Sequence, residues 1–122
     1  EGLAVDEGLS MAHLKGTLLH FARELLGRDA EIRLVPHYFP FTEPSVQVDV
    51  SHVDKHGRRG WLELAGAGMV DPNVFRAVGY DPERWTGYAF GFGLDRLAMV
   101  RFGLPDLRLL FESDLRFLEQ LA

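Results

Sequence analysis

The chain has 122 residues, a formal charge of −5 and no cysteine. That length holds one domain at most, or part of one, and the absence of thiols excludes disulfides, thiolate metal sites and a cysteine nucleophile. A net acidic chain is not a generic nucleic-acid binder, and no apolar run approaches the roughly 20 residues of a membrane span.

The chain opens Glu-Gly-Leu-Ala-Val, with no secretory pattern and no methionine. We expect a segment cut from something longer, in a cytoplasmic protein. Residues 3–5 read as a short strand, ended by Asp6-Glu7-Gly8. Ser10 is a good N-cap. From it an amphipathic helix should run to Leu26, with Met11, Leu14, Leu18, Phe21, Ala22 and Leu25 on one stripe. Gly27 is placed to stop it as a left-handed C-cap. Residues 31–35 alternate and should form a strand. In residues 36–45, Pro36, Pro40 and Pro44 speak against a regular central strand. An extended, irregular segment is expected, with Phe39 and Phe41 pointing the same way and Glu43 just beyond.

Val46, Val48 and Val50 alternate with Gln47 and Asp49, the pattern of a half-buried strand. A polar loop over residues 51–59 should turn it back. Its basic cluster, Lys55-His-Gly-Arg-Arg59, reads as solvated. The returning strand over residues 61–69 should put Trp61, Glu63, Ala65 and Ala67 on one face, and Leu62, Leu64, Gly66 and Gly68 on the other. Glu63 then projects from a face of small residues, where it is a ligand or a hydrogen-bonded partner. Asp71-Pro72 should start a short helix that Gly79 closes, and Asp81-Pro82 another helical turn. After Pro105, Leu107, Leu110 and Phe111 mark a helical piece, and Ser113 can cap a last helix holding Leu115, Phe117, Leu118 and Leu121. Tight loops imply antiparallel pairing. Helices at the start, middle and end give an α+β layout in a single domain over residues 1–122.

Residues 86–101 organise the rest. Read as a strand, they put Gly87, Ala89, Gly91 and Gly93 on one face and Tyr88, Phe90 and Phe92 on the other. The aromatic face wants a core, and something flat can lie against the bare one. A helical pattern follows in Leu94, Leu97, Ala98 and Arg101, with Arg96 in its first turn. A guanidinium beside the free N–H groups of a helix start holds phosphate well. The other reading is a helix packed close on a glycine-lined sheet with Arg96 solvated, and the spacing leaves both open. Phe39 and Phe41 by themselves equally fit plain core packing, and Glu43 a solvated or capping carboxylate.

Together, Tyr38-Phe-Pro-Phe-Thr-Glu-Pro-Ser45, Trp61-Leu-Glu-Leu-Ala-Gly-Ala-Gly-Met-Val70 and Gly87-Tyr-Ala-Phe-Gly-Phe-Gly-Leu-Asp-Arg96 resemble the α-subunit family of bacterial phenylalanyl-tRNA synthetases. The resemblance runs in order through Ser113-Asp-Leu-Arg-Phe-Leu118. The glycine-rich strand resembles motif 3 of class II aminoacyl-tRNA synthetases, and Glu1-Gly-Leu the tail of motif 2. It implies the class II catalytic fold, an antiparallel sheet flanked by helices, of which this chain is the C-terminal portion. It also implies activation of phenylalanine by ATP, transfer to tRNA(Phe), and a β subunit in an (αβ)2 assembly. By the same resemblance Phe39 and Phe41 match an aromatic pair on the substrate ring, and Ala89 the position limiting the pocket at the para carbon. Glu1 lies near the substrate amino group, with Gly66, Ala67 and Gly91 in the phenylalanine site. Arg96 is the catalytic arginine on the γ-phosphate, with Gly93 and Glu63 in the ATP site, and Glu43 matches a magnesium ligand.

Motif 1, the first strand of motif 2 and the N-terminal tRNA-binding arm are not in this chain. Asp95 stands where glutamate is commoner, and Asp71 where histidine often is. The expectation is an enzyme segment with little activity alone; the alternative is a non-catalytic synthetase-like binding or interaction module.

Overall fold

The computed structural model describes residues 1–53 and 57–121. Five antiparallel strands form one sheet in the order β1-β5-β4-β3-β2. They are β1 (Gly2–Asp6), β2 (Ile32–Phe39), β3 (Thr42–Val53), β4 (Arg59–Val70) and β5 (Thr86–Phe92). Helix α1 (Met11–Leu26) lies across one face, and α3 (Leu94–Phe102) joins it there. Helix α2 (Pro72–Ala77) reaches the opposite face, and α4 (Leu115–Leu118) follows a 3-10 turn over Leu107–Leu110. The α+β antiparallel architecture is the one the spacing of the segments implies.

The core follows from the two periodicities. Leu14, Leu18 and Ala22, spaced by four, are the fully buried stripe of α1. They meet Val46, Val48 and Val50 of β3, with Ala65 and Ala67 of β4 and Tyr88 of β5. Burying each leucine contributes about 1.5–3 kcal/mol. Phe92 extends this core towards Leu97 and Val100 of α3, and its ring lies 4.5 Å from that of Phe21. Tyr88 buries its ring and keeps its hydroxyl paired, 2.9 Å from Thr17 Oγ1. Ser10 caps α1 as expected, and its N–H donates to His13 Nδ1 at 3.1 Å.

Several expectations are corrected. Residues 36–45 are extended and irregular in register, as expected, with shifts between His37 and Phe39 and between Thr42 and Ser45, but they pair as a strand–turn–strand hairpin, with Pro36 opposite Val46. Proline is admissible because β2 is an edge strand, whose outward side needs no N–H donor. The faces of β4 change phase at Leu64, where the register slips between Val48 and Asp49. Leu62, Leu64, Ala65 and Ala67 therefore all pack into the core, and Glu63 shares the opposite face with Gly66 and Gly68. Gly27 has positive φ (105°) but extended ψ (162°), so it stops α1 without the left-handed helical geometry. The segment after Asp81 closes a single helical turn, as expected, with the Trp85 N–H donating to the Asp81 carbonyl at 2.9 Å. Asp114, not Ser113, caps α4, accepting from the Arg116 N–H at 2.9 Å. Leu94 and Arg101 point away from the α3 packing face and are exposed. Of the basic cluster, Lys55 and His56 lie outside the described residues; the expected loop over 51–59 is shorter, since β3 runs on to Val53 and β4 begins at Arg59. Among the described residues no helix is long and apolar enough to cross a membrane.

Candidate active site

The face of the sheet turned away from α1 carries a cavity of about 480 Å³. Its floor comes from strand alternation. Gly66 on β4 pairs with Gly91 on β5 and with Gln47 on β3, so one row across three strands holds two bare positions. What stands over them differs: a phenyl ring over Gly66, and over Gly91 the far end of the flexible Glu1 side chain. A Cβ on Gly66 would come within 2.7 Å of the Phe39 ring, and one on Gly91 within 2.5 Å of the Glu1 carboxylate. Ala89, the next position on that face of β5, pairs with Gly68 and also lines the cavity. The ribbon is not bare along its whole length, however. Phe75 of α2 fills the space over Gly87, 3.2 Å from where a Cβ would lie.

The wall is aromatic. Phe39 and Phe41 are near-parallel, with centroids 5.9 Å apart and planes at 14°. His37 also stacks with Phe39, at 4.7 Å and 23°. The hairpin turn that carries these rings is tied by hydroxyls. Ser45 Oγ accepts from the Phe39 N–H at 3.0 Å and lies 2.8 Å from the Thr42 carbonyl, to which it donates. Thr42 Oγ1 is 2.6 Å away, and both Thr42 and Ser45 are buried. The Phe41 carbonyl accepts from the Asp71 N–H at 3.1 Å, which ties the turn to the start of α2. The rings are thus held in place while Phe41 stays 55% exposed, an apolar surface with room beside it.

Of the residues singled out from the sequence, Glu1, Phe39, Phe41, Glu63, Gly66, Ala67, Ala89, Gly91 and Gly93 all border this one cavity. Arg96 does not line it, but its neighbours do. Its Nη1 donates to the Glu63 carbonyl at 2.9 Å, and Gly93 is the N-cap of its helix. Arg96 is therefore a part-buried residue of the first turn of α3 whose guanidinium reaches the rim through the Glu63 carbonyl. Glu43 is exposed at the start of β3, just after the hairpin turn, and outside the cavity lining. Among the described residues no group of three His, Asp or Glu side chains is placed to hold a metal. A cation that keeps most of its water and phosphate ligands asks for only one or two carboxylates, so a lone Glu43 suits magnesium only in company with a phosphate ligand.

His37, Thr42 and Gln47 also line the cavity and carried no role in the sequence reading. The signal for Gln47 was present: it alternates with the buried valines of β3, so it had to lie on the open face. Nothing local marked His37 or Thr42, which reach the cavity through the hairpin.

The model of the class II core domain of tRNA synthetases (F) matches residues 1–121. The α subunit of phenylalanine–tRNA ligase from Thermotoga neapolitana is 59% identical over 118 residues, covering 97% of this chain and 35% of that protein. The α subunit from Corynebacterium jeikeium is 58% identical over 117 residues, 96% of this chain and 33% of that protein. The one from Nitratidesulfovibrio vulgaris is 52% identical over 135 residues, 100% of this chain and 39% of that protein. The chain spans about a third of the length of the curated relatives it matches. With an antiparallel sheet, a glycine-floored cavity and an arginine at its rim, the chain belongs to the class II tRNA synthetase core-domain family.

Proposed function

We propose that this chain is the part of a phenylalanine–tRNA ligase α subunit that runs from the end of motif 2 through motif 3. The complete protein then activates phenylalanine with ATP and transfers it to tRNA(Phe), in the cytoplasm, with a β subunit in an (αβ)2 assembly. The relatives' names as α subunits support a second kind of subunit. The observation that carries the proposal is the pair of parallel phenyl rings beside a glycine floor, with a carboxylate in the same cavity.

Each part suits phenylalanine. Ring contacts with Phe39 and Phe41 contribute about 0.5–1.5 kcal/mol each beyond burial. The Glu1 carboxylate pairs with the ammonium. Gly66 and Gly91 leave space for the ligand, Ala67 borders it from a strand position whose methyl packs into the core, and Ala89 sets the depth available at the para carbon. The triphosphate lies at the Gly93–Arg96 end beside Glu63, where a helix start and a guanidinium both favour anions. Adenylate formation is an in-line attack by the substrate carboxylate on the α-phosphate. The protein supplies no nucleophile, only position and charge. Glu43 would hold magnesium, which neutralises phosphate charge when bound.

The test is phenylalanine-dependent ATP–pyrophosphate exchange by the complete protein with its partner subunit. Arg96→Ala should raise the KM for ATP far more than that for phenylalanine. Equal losses for both substrates would remove Arg96 from the phosphate site. The isolated chain should show little or no exchange, and a rate near that of the intact enzyme would refute its dependence on the rest.

A further inference from the structure

Gln47 lines the cavity, and its amide is oriented from along the same strand by a buried carboxylate that is itself paired with a half-exposed arginine. Its Nε2 donates to Asp49 Oδ1 at 2.7 Å. The Asp49 side chain is 3% exposed, and its other oxygen, Oδ2, accepts from Arg33 Nε and Nη2, both at 2.7 Å. The Arg33 guanidinium in turn lies over the Trp61 ring, 4.8 Å from its centroid. Paired strands carry the arrangement: Arg33 is opposite Asp49 on β2 and β3, and Trp61 is opposite Ser51 on β4.

An ionised carboxylate only accepts hydrogen bonds. Asp49 therefore fixes which end of the Gln47 amide faces it: the NH2 is drawn to the carboxylate, and the carbonyl Oε1 is turned away. No hydrogen bond from another described residue reaches that oxygen, and Gln47 lines the cavity beside Gly66. The result is an acceptor with a set direction. Nothing in the relay reaches the cavity except through Gln47, since Arg33 and Asp49 are outside its lining.

We propose that Gln47 contacts the ligand in this cavity, offering its side-chain carbonyl to a donor group, and that Asp49 and Arg33 are positioning residues that hold the amide in that orientation. This rests on the aminoacylation reading given above. The donor is an N–H or O–H group, which both phenylalanine, through its ammonium, and ATP, through its hydroxyls and amine, possess.

The informative variant is Asp49→Asn. Its carbonyl must turn to Arg33, so its NH2 faces Gln47 and inverts the amide, pointing NH2 into the cavity in place of the carbonyl. Gln47→Leu removes the acceptor at similar size and tests the contact even where the buried Asp49 change fails to fold. Both are made in the complete protein with its partner subunit and checked for intact thermal unfolding. KM and kcat are measured for phenylalanine and ATP separately, with Kd by calorimetry for phenylalanine and for a non-hydrolysable ATP analogue. We expect both variants to weaken one of the two ligands by about tenfold, with kcat changed far less. The ligand affected identifies the donor. Constants for both ligands within twofold of wild type in Gln47→Leu overturn the contact. A folded Asp49→Asn that matches wild type while Gln47→Leu is impaired overturns the positioning role. Absence of exchange by the unmodified protein strikes the aminoacylation reading instead, and the Kd comparison still decides the contact.

Discussion

Phe90 and Gly91 are neighbours on β5 and face opposite sides of the same sheet. Phe90 packs with the cluster under α1, in T-shaped contact with Phe92 at 5.5 Å. Gly91 faces a cavity whose nearest occupant is the Glu1 carboxylate. Along the strands the contrast repeats, with Val46, Val48 and Val50 buried on one side and Gln47 lining the cavity on the other. The covered face is close-packed, so the sheet can stay rigid while its other face is left unfilled. A cavity floored by glycine contributes little to stability and would cost some if it stood alone. Here the helices opposite supply the burial that lets it persist.

The division can be broken from either side. The largest effect is expected on the covered face. Leu18→Ala should lower the unfolding free energy of the complete protein by about 2–5 kcal/mol, read from urea denaturation, because Leu18 is 2% exposed under the sheet. A loss well under that range would mean the two faces share the stability more evenly. Gly66→Val is the counterpart on the open face. Its Cβ would lie within 2.7 Å of the Phe39 ring. Phenylalanine-dependent exchange should fall by roughly 10²-fold, since small misplacements at a site cost that much. The unfolding midpoint should move far less than in Leu18→Ala, and a collapse in stability would show that Gly66 belongs to the core.

Ala89→Gly sharpens the same face. If Ala89 limits the cavity at the para carbon, the variant should activate para-chlorophenylalanine about 10-fold or more better than wild type, the scale set by a methyl-sized change in an apolar pocket. No gain would remove Ala89 from the wall. The smallest effect belongs to neither face. Asp106 is held down to about 2, below its ordinary 3.8, first by the hydrogen bond from the Arg108 side chain and then by that from the Arg108 backbone. A lowered pKa contributes stability above the ordinary value, and this is lost as pH falls from about 3.8 towards 2. Arg108 is exposed and Asp106 partly so, and solvent screens the pair. Acid should therefore loosen only the turn over Leu107–Leu110, seen as local NMR shift changes. Asp106→Ala should leave the global midpoint where it was.

What each level decides follows from these residues. Strand alternation alone separated the aromatic face of β5 from its glycine face, and helical spacing alone picked the six-residue stripe of α1 that contains the fully buried Leu14, Leu18 and Ala22, because both are properties of a few consecutive residues. The motifs in order pointed to the family, and nine of the residues they singled out border one cavity. Only the tertiary structure decided the phase of β4. The slip at Leu64 depends on how β3 pairs with it, and no period counted along one strand contains that information. The same holds for Pro36, which is allowed in a strand only because nothing pairs on its outer side. It holds equally for the chain from Trp61 through Arg33 and Asp49 to Gln47, whose members are separated in sequence and meet only across the sheet.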